Sequence, residues 1–300
     1  MDEIRNMIFY NHFGAGDIFE SREFVKDYMT IMPNLNFFYA HGKHPRILQD
    51  IPNLNFCEVT DAMHPMNKIT VTADTIYINT WIGRDGRYVL PGIGCTVEKL
   101  YEMHNNILHD VGMFKLTRDD IYSYIPKLDF SYYATNNIHD FLVATKDTNK
   151  VLISNGPVQS NQAFNFDFTP VIDLLCRSYP DIIFIATSPT NLAFDNLYYT
   201  EGTIKVDGFD LNNIAYLSVF TDIIIGRSSG PHTFSQHIDN WLDHKKVNLA
   251  FTYMKSGSHF VLSDHLPMKK EWSPATETKD VFEKICEVID GKKAIWNESL

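Results

Sequence analysis

The stretch Asp181–Thr187, DIIFIAT, is apolar at every position but its ends. A strand of this kind has no solvent face. Its sheet must be covered on both sides, and the usual solution is a parallel sheet with helices on both faces. Shorter runs of the same character recur: Ile4–Tyr10, Leu35–Ala40, Asn55–Val59, Thr75–Trp81, Val151–Ser154, Thr203–Val206, Asp222–Ile225 and Val247–Tyr253. Helical spacing of apolar residues fills the gaps. It predicts helices from Ile18 to Met29, over Cys95–His109, Arg118–Leu128 (N-cap Thr117), Phe168–Tyr179, Leu211–Phe220 (N-cap Asp210), His232–Trp241 and Lys279–Ile289. Two successive βαβ series follow, so the fold class is α/β, with two facing Rossmann-like domains and parallel sheets. The length of 300 residues suits two domains. The polar stretch TKDTNK divides them into 1–145 and 146–300. Ligands in such sheets bind beyond the carboxyl ends of the strands, so the expected site is a cleft lined by the strand-to-helix loops.

Composition removes several classes of function. A net charge of -11 argues against general affinity for nucleic acid or anionic membrane. No run approaches the ~20 apolar residues of a transmembrane segment, and the acidic, weakly apolar N-terminus is not a secretory signal. Cys57, Cys95, Cys176 and Cys286 are far apart and form no CxxC pair, which predicts buried free thiols and a cytoplasmic protein.

The first strand ends in NHFGAGD. Gly14-Ala15-Gly16 begins a dinucleotide fingerprint, but Phe19 occupies the third glycine position. No acid follows the second strand, where Tyr39-Ala40-His41-Gly42-Lys43 stands, so a ribose would have no carboxylate. No GxxxxGK[ST] occurs either. Gly14 and Gly16 let backbone approach a ligand. Asp17 has two readings: an N-cap for the helix, or a general base kept ionised by the helix N-terminus.

The second loop, DIIIGRSSGPHTF (Asp222–Phe234), is the more informative. An apolar strand stops at Gly226, then Arg227, Ser228, Ser229 and Gly230 follow, and Pro231 opens a helix. Hydroxyls, a guanidinium and helix-end amides are what an anion site needs. The competing reading is a Ser-capped helix with a solvent-facing Arg.

DLNNIAYLSVFTDIIIGRSSGPHTF resembles the C-terminal signature of the ADP-heptose:lipopolysaccharide heptosyltransferase family and, more loosely, of other GT-B glycosyltransferases. That family shows an Asp-Leu helix, an apolar strand and a Gly-x-Asp-Ser-Gly-Pro-Met-His loop. The strand–G-x-G-D–helix of the first loop resembles the family's acceptor loop, whose aspartate is the base. This sequence departs at Ser228, where the family has an acid, and at His232-Thr233, where it has Met-His. The resemblance implies a GT-B-like fold with an acceptor-side first domain, a nucleotide-sugar-binding second domain and a last helix packing back on the first. It implies a glycosyltransferase of glycan biosynthesis, with Asp17 catalytic, a nucleotide-sugar as substrate rather than cofactor, and a glycan or other hydroxyl acceptor as partner.

Donor contacts are expected from Arg227, Ser228, Ser229, Gly230 and His232, from Gly156, Ser160 and Gln162 after the first strand of the second domain, from Ser188, and from Asp207 near the nucleobase. Acceptor contacts are expected from Gly14, Gly16, Trp81 and Arg84. No DxD triplet occurs and His232 and His237 lack HExxH spacing, so no metal is expected. Two other readings share the fold: a nucleotide-sugar 2-epimerase, and a non-catalytic protein that binds a glycan or a partner.

Overall fold

The computed structural model describes residues 4–81, 96–110, 124–159, 163–201, 211–253 and 266–298. The chain forms two compact units, Met1–Tyr132 and Tyr133–Leu300.

The first unit holds a five-stranded sheet in the order β3-β2-β1-β5-β4. β1 (Asn6–Asn11) pairs in parallel with β2 (Asn36–His41) on one side and β5 (Thr75–Asn79) on the other. β3 (Leu54–Cys57) continues the parallel set. β4 (Ile69–Val71) does not: it is an antiparallel edge strand that the sequence reading lacked. Its three residues are too few for a pattern and none is fully buried.

The single helix expected after β1 is two, α1 (Ala15–Glu20) and α2 (Arg22–Ile31). Ser21 sits at the break. Its hydroxyl donates back to the Ile18 carbonyl at 2.8 Å and meets the Tyr39 hydroxyl at 2.9 Å. Such side-chain bonds compete with the helix ladder. α3 (Thr96–Asp110) buries Leu100, Met103, Ile107 and Leu108. Most of the helix expected over Arg118–Leu128 lies outside the described residues. Its described end, from Tyr124, carries no α-helix, because Pro126 has no amide for the ladder. The core includes Phe9, edge-on to Tyr28 at 5.3 Å, and Phe24, stacked on His104 at 4.6 Å. Each such ring contributes about 1.5–3 kcal/mol by leaving water.

The second unit starts with α4 (Asn136–Ala144), a helix absent from the sequence-based expectations. Ile138 and Phe141 pack on Leu152, Ile183 and Ile185 of its sheet, so the boundary falls at 132/133 rather than 145/146. Only that short apolar stripe marks the helix.

The six strands β6 (Lys150–Ser154), β7 (Ile183–Ala186), β8 (Leu197–Tyr199), β9 (Ile223–Arg227), β10 (Val247–Phe251) and β11 (Lys269–Ser273) are all parallel. Their order is β11-β10-β9-β6-β7-β8. The doubly wound arrangement thus stands: from the first strand, β6, two strands (β7, β8) are added on one hand and then three (β9, β10, β11) on the other. The strand expected at Thr203–Val206 lies outside the described residues. β8 and β11 are edges that the sequence reading lacked, and the polar β11, KKEWS, has no apolar signal to show.

Both faces of this sheet are covered, as the apolar strands require. α5 (Thr169–Ser178) and α9 (Thr278–Glu298) pack over Val151, Ile153, Phe184 and Leu249. α4 and α6 (Leu211–Ser218) pack over Leu152, Ile183 and Ile185. The helix expected over His232–Trp241 is instead two single turns, α7 (Gly230–Phe234) and α8 (Ile238–Trp241). Asn240 donates its side-chain amide to the Ser235 carbonyl at 2.8 Å, and His237 stands at the N-cap position of the second turn without a side-chain cap bond. Polar side chains take over the ladder there. Among the described residues no helix is long and apolar enough to cross a membrane.

Candidate active site

Each sheet has one point where the chain, having added strands on one side of its first strand, begins adding them on the other. Ligands bind at that switch point, beyond the carboxyl ends of the strands. In the first unit it lies between β1 and β5, and in the second between β6 and β9. Both loops singled out in the sequence follow one of those strands.

At the first switch point, Asn11 ends β1 and its side chain ties two loops. Its Oδ1 accepts from the Phe13 amide at 2.8 Å, and its Nδ2 donates to Thr80 Oγ1 at 3.0 Å. Thr80 also meets the Tyr39 hydroxyl at 2.7 Å, and Tyr39 meets Ser21. All four side chains are buried. The sequence reading missed this chain of hydroxyls because its members come from four separate segments, and no local spacing links them.

Asp17 is not the N-cap. Gly14 is, and Asp17 is the third residue of α1. Its Oδ2 accepts from the Gly14 amide at 3.2 Å, the return bond of a capping box. A Cβ on Gly14 would sit 3.0 Å from that oxygen, so the glycine makes room for the bond. Gly16 is the second helical residue. Burial pushes the Asp17 carboxyl above its ordinary range, while the bonds from backbone amides act the other way. Glu20, one turn on, is buried and pushed up strongly, by burial first and then by the Asp17 charge. The site thus holds a half-buried carboxylate with raised basicity, and its cap contact uses one oxygen. Phe13 and Trp81 stack at 3.8 Å between ring centres beside it.

In the second unit the loops after β6, β7 and β9 converge on Asn155. Its Oδ1 accepts from the Ser188 amide at 2.8 Å and its Nδ2 donates to the Ser188 carbonyl at 2.9 Å. Its carbonyl accepts from the Arg227 guanidinium. A Cβ on Gly156 would lie 3.0 Å from Ser188 Oγ. Asn155, which no sequence motif singles out, is the joint of this site. Asn165 closes the same loop, accepting from the Val158 amide at 2.7 Å and donating to its carbonyl at 3.0 Å.

Two of the expected donor contacts, Arg227 and His232, are buried against their own unit. Arg227 does not face outward. It is 3% exposed, and it donates to the carbonyls of Phe166, at 2.6 Å, and Asn155. Its guanidinium carbon lies 5.1 Å from the Phe166 ring centre and 4.9 Å from that of Phe168. His232 is buried as well. Its Nε2 meets Asn248 Oδ1 at 3.1 Å. Both hold loops in place from behind.

Ser229 is the N-cap of α7, with its Oγ buried and without a hydrogen-bond partner among the described residues. Gly230 and Pro231 follow at the first two helical positions, so the proline sits one place later than expected. α7 is one turn long. Its macrodipole is correspondingly weak, and local groups must supply any anion stabilisation. Ser160, Gln162, Asp207 and Arg84 lie outside the described residues. Ser228 is 2% exposed. Gly226–Gly230 also spells G-x-S-x-G, which the reading as an anion loop passes over. A nucleophile elbow holds its serine exposed on a strained turn. Ser228 is buried and has no positive φ, so that geometry is not met.

Gly226 has a steric duty. An added Cβ would lie 2.7 Å from Ser154 Cβ and 3.1 Å from the His232 ring. Gly226→Ala is expected to lower unfolding free energy by about 1–3 kcal/mol through overpacking. Urea denaturation checks this, and an unchanged midpoint would contradict the close approach.

Two Rossmann-like α/β units, each with its candidate loops at the switch point, make this a GT-B-like fold. Among solved structures the chain is similar to E. coli heptosyltransferase WaaC with ADP, with a TM-score of 0.56 and 8% identity over 96% of this chain and 99% of that one. The same enzyme with ADP-2-deoxy-2-fluoro heptose gives 0.53 and 9% identity over 95% and 99%. At such identity the likeness is one of fold. No protein-family model and no curated protein sequence matches the chain.

Proposed function

We propose that this protein is a glycosyltransferase that moves a sugar from a nucleotide-diphosphate donor to an acceptor hydroxyl without a metal. The observation that carries the reading is the pairing of a basic carboxylate, Asp17, at the switch point of one unit with a hydroxyl-and-amide loop site at that of the other. Both stand on the fold of an enzyme whose structures hold ADP and an ADP-sugar. Asp17 takes the proton of the attacking hydroxyl. The raised pKa favours this, since a base works best when its pKa approaches the working pH.

The diphosphate leaves toward the loops carrying Gly156, Ser188, Ser229 and Gly230, whose groups stabilise the developing charge. Ser160, Gln162 and Asp207 complete the donor side in this proposal, and Arg84 the acceptor side. Arg227 and His232 are positioning residues. The sequence has no DxD triplet for a divalent cation, and the described residues hold no group of three His, Cys, Asp or Glu placed for one. The division of labour, with acceptor on the first unit and donor on the second, belongs to the same proposal.

A thermal-shift screen against UDP, GDP, ADP, CMP and dTDP, with and without magnesium, tests it. One nucleotide at 100 times its dissociation constant is expected to add about 2.7 kcal/mol of stability, with no need for magnesium. The matching donor should then be hydrolysed slowly. Conversion of the donor to its epimer would identify an epimerase instead. No shift with any nucleotide would leave a binding protein on a glycosyltransferase fold.

A further inference from the structure

Phe13 is a large apolar side chain left 38% exposed at the first switch point, while most of the aromatics of β1 and α2 are buried. It is also held still. Its amide donates to Asn11 Oδ1 at 2.8 Å, and the Trp81 amide donates to Asn79 Oδ1 at 3.0 Å. Asn11 and Thr80 join the two loops. The rings stack at 3.8 Å between centres with 25° between their planes. Behind them the buried Lys68 donates to the Trp81 carbonyl and sits 5.7 Å from the indole centre.

The neighbouring amide, that of Gly14, is the one that bonds the Asp17 carboxylate. Phe13, one ring of a stacked and partly exposed pair, is therefore built into the loop that leads to the candidate base. Folding gains little from leaving Phe13 in water, and three backbone-to-asparagine and asparagine-to-threonine bonds fix it there.

The geometry points to Phe13, backed by Trp81, as an acceptor platform that takes the apolar C–H face of a pyranose ring, so that the acceptor is a glycan. Aromatic faces carry negative charge density, and the polarised C–H bonds of a sugar ring lie flat against them. A hydroxyl on the ring's rim would then come within reach of Asp17. This inference rests on the transferase reading for the role of the bound sugar, but not for its binding.

Ligand-observed saturation-transfer NMR tests it with methyl α-D-glucopyranoside, methyl β-D-galactopyranoside and the open-chain control sorbitol. The wild type is expected to transfer saturation to the C–H protons of at least one pyranoside and not to sorbitol. Phe13→Ala should weaken that binding about tenfold, a loss typical of one stacked contact, whereas Phe13→Tyr and Trp81→Phe should retain it. Phe13 is exposed, so the Ala variant should keep its melting temperature and its nucleotide-induced shift. Equal pyranoside binding by Phe13→Ala, or no binding of either pyranoside by the wild type, would overturn the platform. Failure of the transferase reading looks different: pyranoside binding would depend on Phe13 while no nucleotide shifts the melting temperature.

Discussion

Asp17→Asn is expected to reduce kcat by roughly 10²–10⁴-fold, the range typical of a lost general base, while donor affinity and melting temperature stay close to wild type. The substitution separates the two duties of the side chain. As a capping group, Asp17 needs only an oxygen that accepts from the Gly14 amide, and an asparagine carbonyl oxygen supplies one. As a base it needs a lone pair with affinity for a proton, which an amide lacks. A helix cap alone would therefore leave turnover nearly unchanged in Asp17→Asn. The pH profile gives a second reading. The base works deprotonated, so the rate rises with pH through its pKa. Burial raises that pKa, and the rising limb of kcat/KM should fall at a higher pH than an ordinary carboxylate's. The limb should vanish in the variant. The neighbouring Glu20 is pushed up strongly, by burial first and then by the Asp17 charge, so it ionises after Asp17 and leaves the direction of the Asp17 shift to burial.

Much of this architecture could be read from the chain because its strands are buried on both faces. DIIFIAT and the runs before Asn11 and Gly226 announce parallel strands regardless of what surrounds them. What stayed hidden is what burial does not mark. The edges β4, β8 and β11 are short or polar, and α4 buries only Ile138 and Phe141 against its sheet, with Leu142 half-buried beside them.

The candidate site was legible to the level of loops but not of side-chain directions. Gly14, Gly156 and Ser229 stand on loops beside the switch points and Asp17 in the first turn of the helix that follows one of them, as the strand–loop–helix grammar implies. Asn11, Thr80, Tyr39 and Asn155, which hold those loops, are recognisable only once distant segments meet. Arg227 shows the limit most clearly. An arginine beside two serines and a glycine reads as an anion ligand, and nothing local reveals that two carbonyls and two aromatic rings claim it first.

That inward placement makes Arg227→Met informative. The loss of unfolding free energy is expected to be about 2–3 kcal/mol, measurable by urea denaturation without any ligand. Methionine fills most of the space between Phe166 and Phe168, so a cavity is not the main cost. The cost is two carbonyls, of Asn155 and Phe166, that lose a charged donor; each such bond contributes about 1.5–3 kcal/mol. Relief from burying a guanidinium, whose own pKa burial pulls down, offsets part of the sum. Arg227→Lys should fall between the two, because one ammonium cannot reach both carbonyls with the fork geometry of arginine. Donor affinity should drop in step with stability across the series, since the Asn155 carbonyl belongs to the same residue that fixes Ser188 and precedes Gly156. A guanidinium that gripped phosphate directly would behave otherwise. Its removal would leave the ligand-free protein as stable as before, or more so, and abolish the nucleotide shift alone. Stability without ligand therefore distinguishes an arginine that shapes the donor site from one that touches the donor.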